Sequence, residues 1–121
     1  MREIKFRAWD KLNKEMFNVE SINFQERRVY RDTVSYREFN DIELIQYTGL
    51  KDKNNKEIYE GDILFESFGE RYYRVIFKNG SFSTEFKGDF EEYSFDLIDV
   101  VAQSCEVVGN IYENPELMED E

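Results

Sequence analysis

The sequence predicts an all-β fold, mostly antiparallel: a compact small barrel or sandwich carrying at most short helical turns. Three observations lead there. Near the N-terminus Ile4, Phe6 and Ala8 alternate with Glu3, Lys5 and Arg7, which is the two-residue period of a strand. Asn79-Gly80 lies between two β-rich runs, a strong hairpin signal because a type I′ turn needs φ > 0 at both central residues. Cys105 to Tyr112 is a third β-rich run, interrupted at Gly109 and followed by Pro115.

Taken in order, the first strand ends in the polar, turn-rich Asp10-Lys11-Leu12-Asn13-Lys14. Glu15 to Phe24 then reads as a second extended segment, and Glu26 to Tyr30 continues the sheet after a tight connection at Gln25-Glu26-Arg27. Residues 31–41 are mostly polar and read as a loop or short helical turn. Leu44 to Thr48 is β-rich and is expected to stop at Gly49. Lys51 to Glu57 is a charged loop whose Asn54-Asn55 suits left-handed turn conformations. In Ile58-Tyr59-Glu60-Gly61-Asp62-Ile63-Leu64, Gly61 permits a tight turn and Asp62 can accept bonds from nearby amides before a strand begins.

The Asn79-Gly80 turn dictates a register. Lys78 faces Ser81, Phe77 faces Phe82, Ile76 faces Ser83, Val75 faces Thr84, Arg74 faces Glu85 and Tyr73 faces Phe86. One face then gathers Tyr73, Val75, Phe77, Phe82, Thr84 and Phe86, and the other pairs Arg74 with Glu85. A slip by one residue would mix the faces, so pattern and turn agree. Together with the 58–64 turn and the 105–112 strand, this spacing gives the C-terminal half an SH3-like character. Asp96 to Ala102 is too short to assign to helix or strand by period. Gly109 marks a bulge or a close backbone approach.

Length and composition bound the rest. A chain of 121 residues with 17% aromatics is one domain, 1–121, and 117–121 reads as a frayed acidic tail. No run of about 18 apolar residues occurs, and the N-terminus lacks the apolar core of a signal peptide. The expectation is a soluble cytoplasmic protein. The net charge is -11, and it is one-sided: residues 1–60 carry 12 basic and 12 acidic side chains, residues 61–121 carry 4 and 15. Such a surface repels phosphates and anionic membranes, so direct binding to nucleic acid or membrane is not expected.

Candidate chemistry is sparse. There is no histidine, and the single cysteine, Cys105, sits among apolar and small residues, which predicts a buried structural thiol. The six glycines are too scattered for a phosphate loop. Asp89, Glu91, Glu92, Asp96 and Asp99 form an acidic cluster without the ligand order of a calcium loop. It is read as a solubilising surface or as a contact for a basic partner. No catalytic residue, cofactor or metal is expected.

Three segments together carry a likeness. Met1 to Asp10 (MREIKFRAWD) comes first. Gln46 to Asp52 (QYTGLKD) with Glu57 to Ile63 (EIYEGDI) comes second, and Val107 to Leu117 (VVGNIYENPEL) third. In this order they resemble the YopX-like family of phage and prophage proteins. The resemblance implies an all-β fold and a phage or prophage origin in a bacterial host cell. It implies no catalytic residue. The expected role is therefore a small non-enzymatic accessory protein that binds another macromolecule; the partner is an unknown protein, with host proteins among the candidates. The alternative is an acidic decoy, a nucleic-acid mimic that occupies a host DNA-binding protein. With 20 aromatic rings in one small domain, a homo-oligomer is also expected.

Overall fold

The structure is a computed structural model, and it describes residues 4–87 and 92–118. It is mostly antiparallel β, and among the described residues no helix is long and apolar enough to cross a membrane. The chain folds as two compact units, Met1–Tyr47 and Thr48–Glu121.

In the first unit β1 (Phe6–Asp10) pairs antiparallel with β2 (Glu15–Asn18) on one side. On its other side it pairs with the start of β6 (Ile42–Lys51). The turn after β1 closes where Lys14 takes a φ of 57°. The stretch 15–24, expected as one segment, serves two sheets. The Val19 amide still bonds the Phe6 carbonyl, but the Glu20 amide bonds that of Tyr30. From there β3 (Ser21–Asn23) pairs with β4 (Arg28–Tyr30), and the turn between them bends at Arg27, φ 60°.

Residues 31–41 are more than a loop. Tyr36–Glu38 form β5, paired with β4, and a single 3₁₀ turn, Phe39–Asp41, follows. Polarity hid this strand, because Arg37 bonds the fully buried Asp10 carboxylate where an apolar side chain would have marked a core-facing position. The core of this unit is Ala8, Phe17, Val29 and Ile42.

In the second unit β6 runs past Gly49, which was expected to end it, with φ 88° there. The Thr48 hydroxyl supports the passage by donating to the Ile58 carbonyl (2.7 Å) and accepting from the Leu50 amide (3.1 Å). Then come β7 (Glu57–Tyr59), β8 (Asp62–Glu66), β9 (Arg71–Lys78), β10 (Ser81–Lys87) and β11 (Glu92–Asp96). The helix α1 (Asp99–Gln103), the strand β12 (Cys105–Asn110) and a 3₁₀ turn, Pro115–Met118, complete the chain.

Five of these strands make one antiparallel sheet in the order β11-β10-β9-β8-β12. Asn79 and Gly80 both have positive φ (53° and 82°), and the register runs from Lys78–Ser81 to Arg74–Glu85 as the turn requires. The Tyr73 and Phe86 rings meet edge to face at 5.3 Å. Arg74 and Glu85 form an ion pair on the opposite face. Buried Ile58, Leu64, Tyr73, Val75, Phe82, Leu97, Ala102 and Cys105 form the core. The 96–102 ambiguity resolves as sheet followed by helix. The Leu97 amide makes the last bond to β10, at Phe82, and the helical turn that follows buries Ala102.

Candidate functional site

Buried polar groups come first, because an unpaired one is costly and a paired one is committed. Asp52 is almost wholly buried. Its Oδ1 accepts the amides of Asn54 (2.8 Å) and Lys56 (2.9 Å), and its Oδ2 that of Val107 (2.8 Å). One carboxylate thus shapes the 52–56 loop, where Asn55 has φ 66°, and ties it to β12. Asp62 accepts the Tyr59 amide at 2.8 Å across the turn at Gly61, φ 85°. Asn110 Oδ1 accepts the amides of Tyr112 and Glu113, and its Nδ2 donates to the Glu113 carboxylate. All three act on backbone geometry.

Asp10 does the same in the first unit. Its carboxylate accepts the Leu12 and Asn13 amides, the Asn13 side chain (2.9 Å) and Arg37 Nε (2.6 Å). Burial alone would raise its pKa, but Arg37, Asn13 and the two amides outweigh burial and hold it well below the ordinary carboxylate range. The unfolded chain therefore takes up this proton first. The resulting stabilisation is complete above an unfolded pKa of about 4 and is lost as pH falls towards the folded value. Asp10→Asn is expected to cost about 2 kcal/mol near neutrality. In urea titrations the gap between wild type and variant should narrow from pH 6 towards pH 3. An unchanged gap would show that the charge contributes nothing.

The acidic cluster is only partly assembled on view. Asp89 and Glu91 lie outside the described residues, and Glu92 lies in β11. Asp96 ends β11 and Asp99 opens α1, and both are exposed. Among the described residues no three histidine, cysteine, aspartate or glutamate side chains group so as to hold a metal ion. Cys105 is buried as expected, and burial pushes its thiol pKa up, away from the thiolate a nucleophile needs.

An exposed feature that sequence reasoning missed is the tip of the β8–β9 hairpin. Phe68 is 99% exposed. The turn beneath it is held by Glu66, whose two carboxylate oxygens accept the Phe68 amide (2.7 Å) and the Gly69 amide (2.8 Å). Behind the tip, Phe65 and Tyr72 pair across the strands with ring centroids 5.0 Å apart, and Tyr72 is 39% exposed. The signal in the sequence was Phe in Ser67-Phe68-Gly69-Glu70, a place where turn chemistry favours Gly, Asn, Asp or Pro.

The chain has relatives at the level of family and fold. The sequence profile of the family described as YopX protein matches residues 5–119. The chain belongs to the YopX family. Protein EF1440 from Enterococcus faecalis has a similar crystal structure, with 30% identity and a TM-score of 0.66 over 98% of this chain and 100% of that one. Protein yopX from Bacillus subtilis is 21% identical with a TM-score of 0.60 over the same shares, a likeness of fold. No curated protein matches.

The segments by which the chain resembles the YopX family are largely the ones that bend and tie the backbone. Gln46–Asp52 contains Thr48, Gly49 and Asp52, and Glu57–Ile63 contains Gly61 and Asp62. Val107–Leu117 contains Gly109, Asn110 and Asn114. There a Cβ built on Gly109 would stand 2.4 Å from Asn114 Oδ1, so the close approach anticipated at this glycine is real. The β12 register also shifts between Val107 and Gly109, which is the anticipated bulge. In these segments Asp10, Thr48, Asp52, Asp62, Asn110 and Asn114 bond the backbone, and the exposed aromatic tip lies outside them.

Proposed function

We propose that this YopX-family chain is a non-enzymatic accessory protein of a phage or prophage, acting in the bacterial host cell by binding another protein. The exposed Phe68 carries this reading. A turn already held by Glu66 has no structural use for a phenylalanine, and water around a full ring is unfavourable. An aromatic side chain presented at a hairpin tip, with the Phe65–Tyr72 pair in the strands behind it, is the kind of group that dominates protein interfaces. Its partner offers an apolar pocket. Because residues 48–121 hold all of the -11 charge, the rim of that pocket is basic.

Phe68→Ala is expected to leave stability within about 0.5 kcal/mol, since the ring touches solvent. It should weaken a host partner captured by the wild type by about 30-fold, the loss of one hot-spot residue. Capture from bacterial lysate followed by binding titration checks both numbers. Equal affinity for wild type and variant would remove the tip as the anchor. Nucleotide or nucleic-acid turnover by the purified protein would remove the non-enzymatic reading.

The division of charge favours a second reading, the acidic decoy. Residues 1–47 carry nine basic and nine acidic side chains, so the negative field belongs to residues 48–121, where Asp96 and Asp99 are exposed. A decoy displaces duplex DNA from a host DNA-binding protein with the salt dependence of counterion release, and Asp96→Asn with Asp99→Asn weakens the displacement. Displacement that ignores salt and both substitutions would exclude it.

A further inference from the structure

β3 is an outermost strand: in the sheet β3-β4-β5 it pairs with β4 alone. Every second residue of such a strand turns its amide and carbonyl away from the partner, where another chain can meet them. Three residues are too few to template an extended sheet, and enough to align a short peptide. At the opposite edge, in β5, the Tyr36 carbonyl already accepts a bond from Arg37 Nη1 (2.9 Å). A groove of about 550 Å³ follows β3. By the register, Glu20 and Asp32 flank the Ser21–Tyr30 pair at one end of it. Phe24, 74% exposed, stands beyond the Asn23–Arg28 pair at the other.

The lining of this groove holds two carboxylates and no cation. Among the described residues the Glu20 carboxylate has no hydrogen-bond or ion-pair partner. The Ser35 and Val34 amides donate to Asp32 Oδ1 and hold that carboxyl below its ordinary pKa, so it stays charged at neutral pH. Arg31, its neighbour in sequence, is engaged with Glu15 at 2.7 Å. Ser21 and Tyr30 face each other across the strands, so on this face one short side chain stands between the open edge and the Tyr30 ring. A long cationic side chain on an added strand can cross it and meet both the ring and the carboxylates.

We infer that β3 receives an extended segment of a partner protein as an added strand, one in which basic and apolar residues alternate. Its basic side chains lie on the face of Ser21 and Tyr30, toward Glu20 and Asp32. Its apolar side chains lie on the face of the half-buried Ile22, and Phe24 covers its end. Main-chain bonds to the edge supply affinity, and the alternating side chains supply selectivity. The net charge of -11 draws a basic segment and repels an acidic one. β3 belongs to the first unit and the Phe68 tip to the second, so the inference does not rest on the function proposed for that tip.

The probe is a fluorescein-labelled hexapeptide alternating lysine and valine, titrated with the full chain in about 0.15 M salt. Saturable anisotropy is expected, and amide exchange within residues 21–23 should slow when the peptide is bound. Glu20→Gln with Asp32→Asn should weaken binding by about tenfold or more. Asp96→Asn with Asp99→Asn removes the same amount of charge and should bind like wild type, as should Phe68→Ala. N-methylation of the lysines or of the valines blocks one alternate set of peptide amides. One of these two peptides should lose binding and the other keep it, because a strand pairs through one set only. Thermal unfolding of every variant verifies the fold. Equal weakening by the two double variants, or full binding by both methylated peptides, would show attraction by net charge alone and overturn the inference. So would an absence of binding, or a chain that dimerises by itself and is dissociated by the peptide, since the edge then belongs to a second copy.

Discussion

Replacing Asp52 by alanine is expected to lower the unfolding free energy by about 3 kcal/mol. Three backbone amides, those of Asn54, Lys56 and Val107, lose their acceptor at once. Hydrogen bonds to a charged group contribute about 1.5–3 kcal/mol each, and water entering the opened loop recovers part of the loss. Asp52→Asn should recover some of the remainder, since one oxygen still accepts while the new amide group finds donors facing it. Urea titration of the three proteins measures the order. Hydrogen exchange locates the effect: the Val107 amide, in β12, should lose protection together with those of Asn54 and Lys56. A loss confined to residues 52–56 would mean that the long-range tie to β12 carries no weight.

Gly109→Ala is expected to cost about 2–3 kcal/mol, at the upper end of overpacking effects. The added Cβ would stand 2.4 Å from Oδ1, 2.8 Å from Cγ and 3.1 Å from Cβ of Asn114, so the whole side chain has to move. Moving it breaks the bond in which Asn114 Oδ1 accepts the Asn110 amide. Asn114→Ala alone should cost less, about 1 kcal/mol for one hydrogen bond. In the double variant the steric part disappears. Its cost should fall below the sum of the two single costs by about 2 kcal/mol, the signature of residues in contact. Additive costs would place the penalty in the backbone at Gly109 and not in the approach of Asn114.

Local chemistry made much of this architecture legible. Asn79-Gly80 dictated a hairpin and its register, because a type I′ turn with φ > 0 at both central residues matches the twist of the two strands it joins. Gly61-Asp62 announced a turn with its own acceptor, and Asn55 a left-handed residue in a charged loop. The apolar setting of Cys105 announced a buried thiol. In each case the deciding interactions lie within a few residues of one another, so the order of side chains along the chain contains them.

Other features depended on partners far away in sequence. Tyr36–Glu38 became a strand because Arg37 reaches Asp10, 27 residues earlier, and a polar strand shows no apolar alternation. The segment 15–24 divided between two sheets at Val19–Glu20 because the carbonyls available to those amides belong to Phe6 and Tyr30. β6 ran through Gly49 because the Thr48 hydroxyl found the Ile58 carbonyl. Sequence determined the turns, the hairpin register, the buried thiol and the one-sided charge, all consequences of short-range sterics and composition. Tertiary structure alone decided which polar residues are buried and which aromatic ring is left in water, as with Asp52 tied to Val107 and Phe68 exposed above Glu66. Burial is a property of everything that packs around a residue, and no residue states its own surroundings.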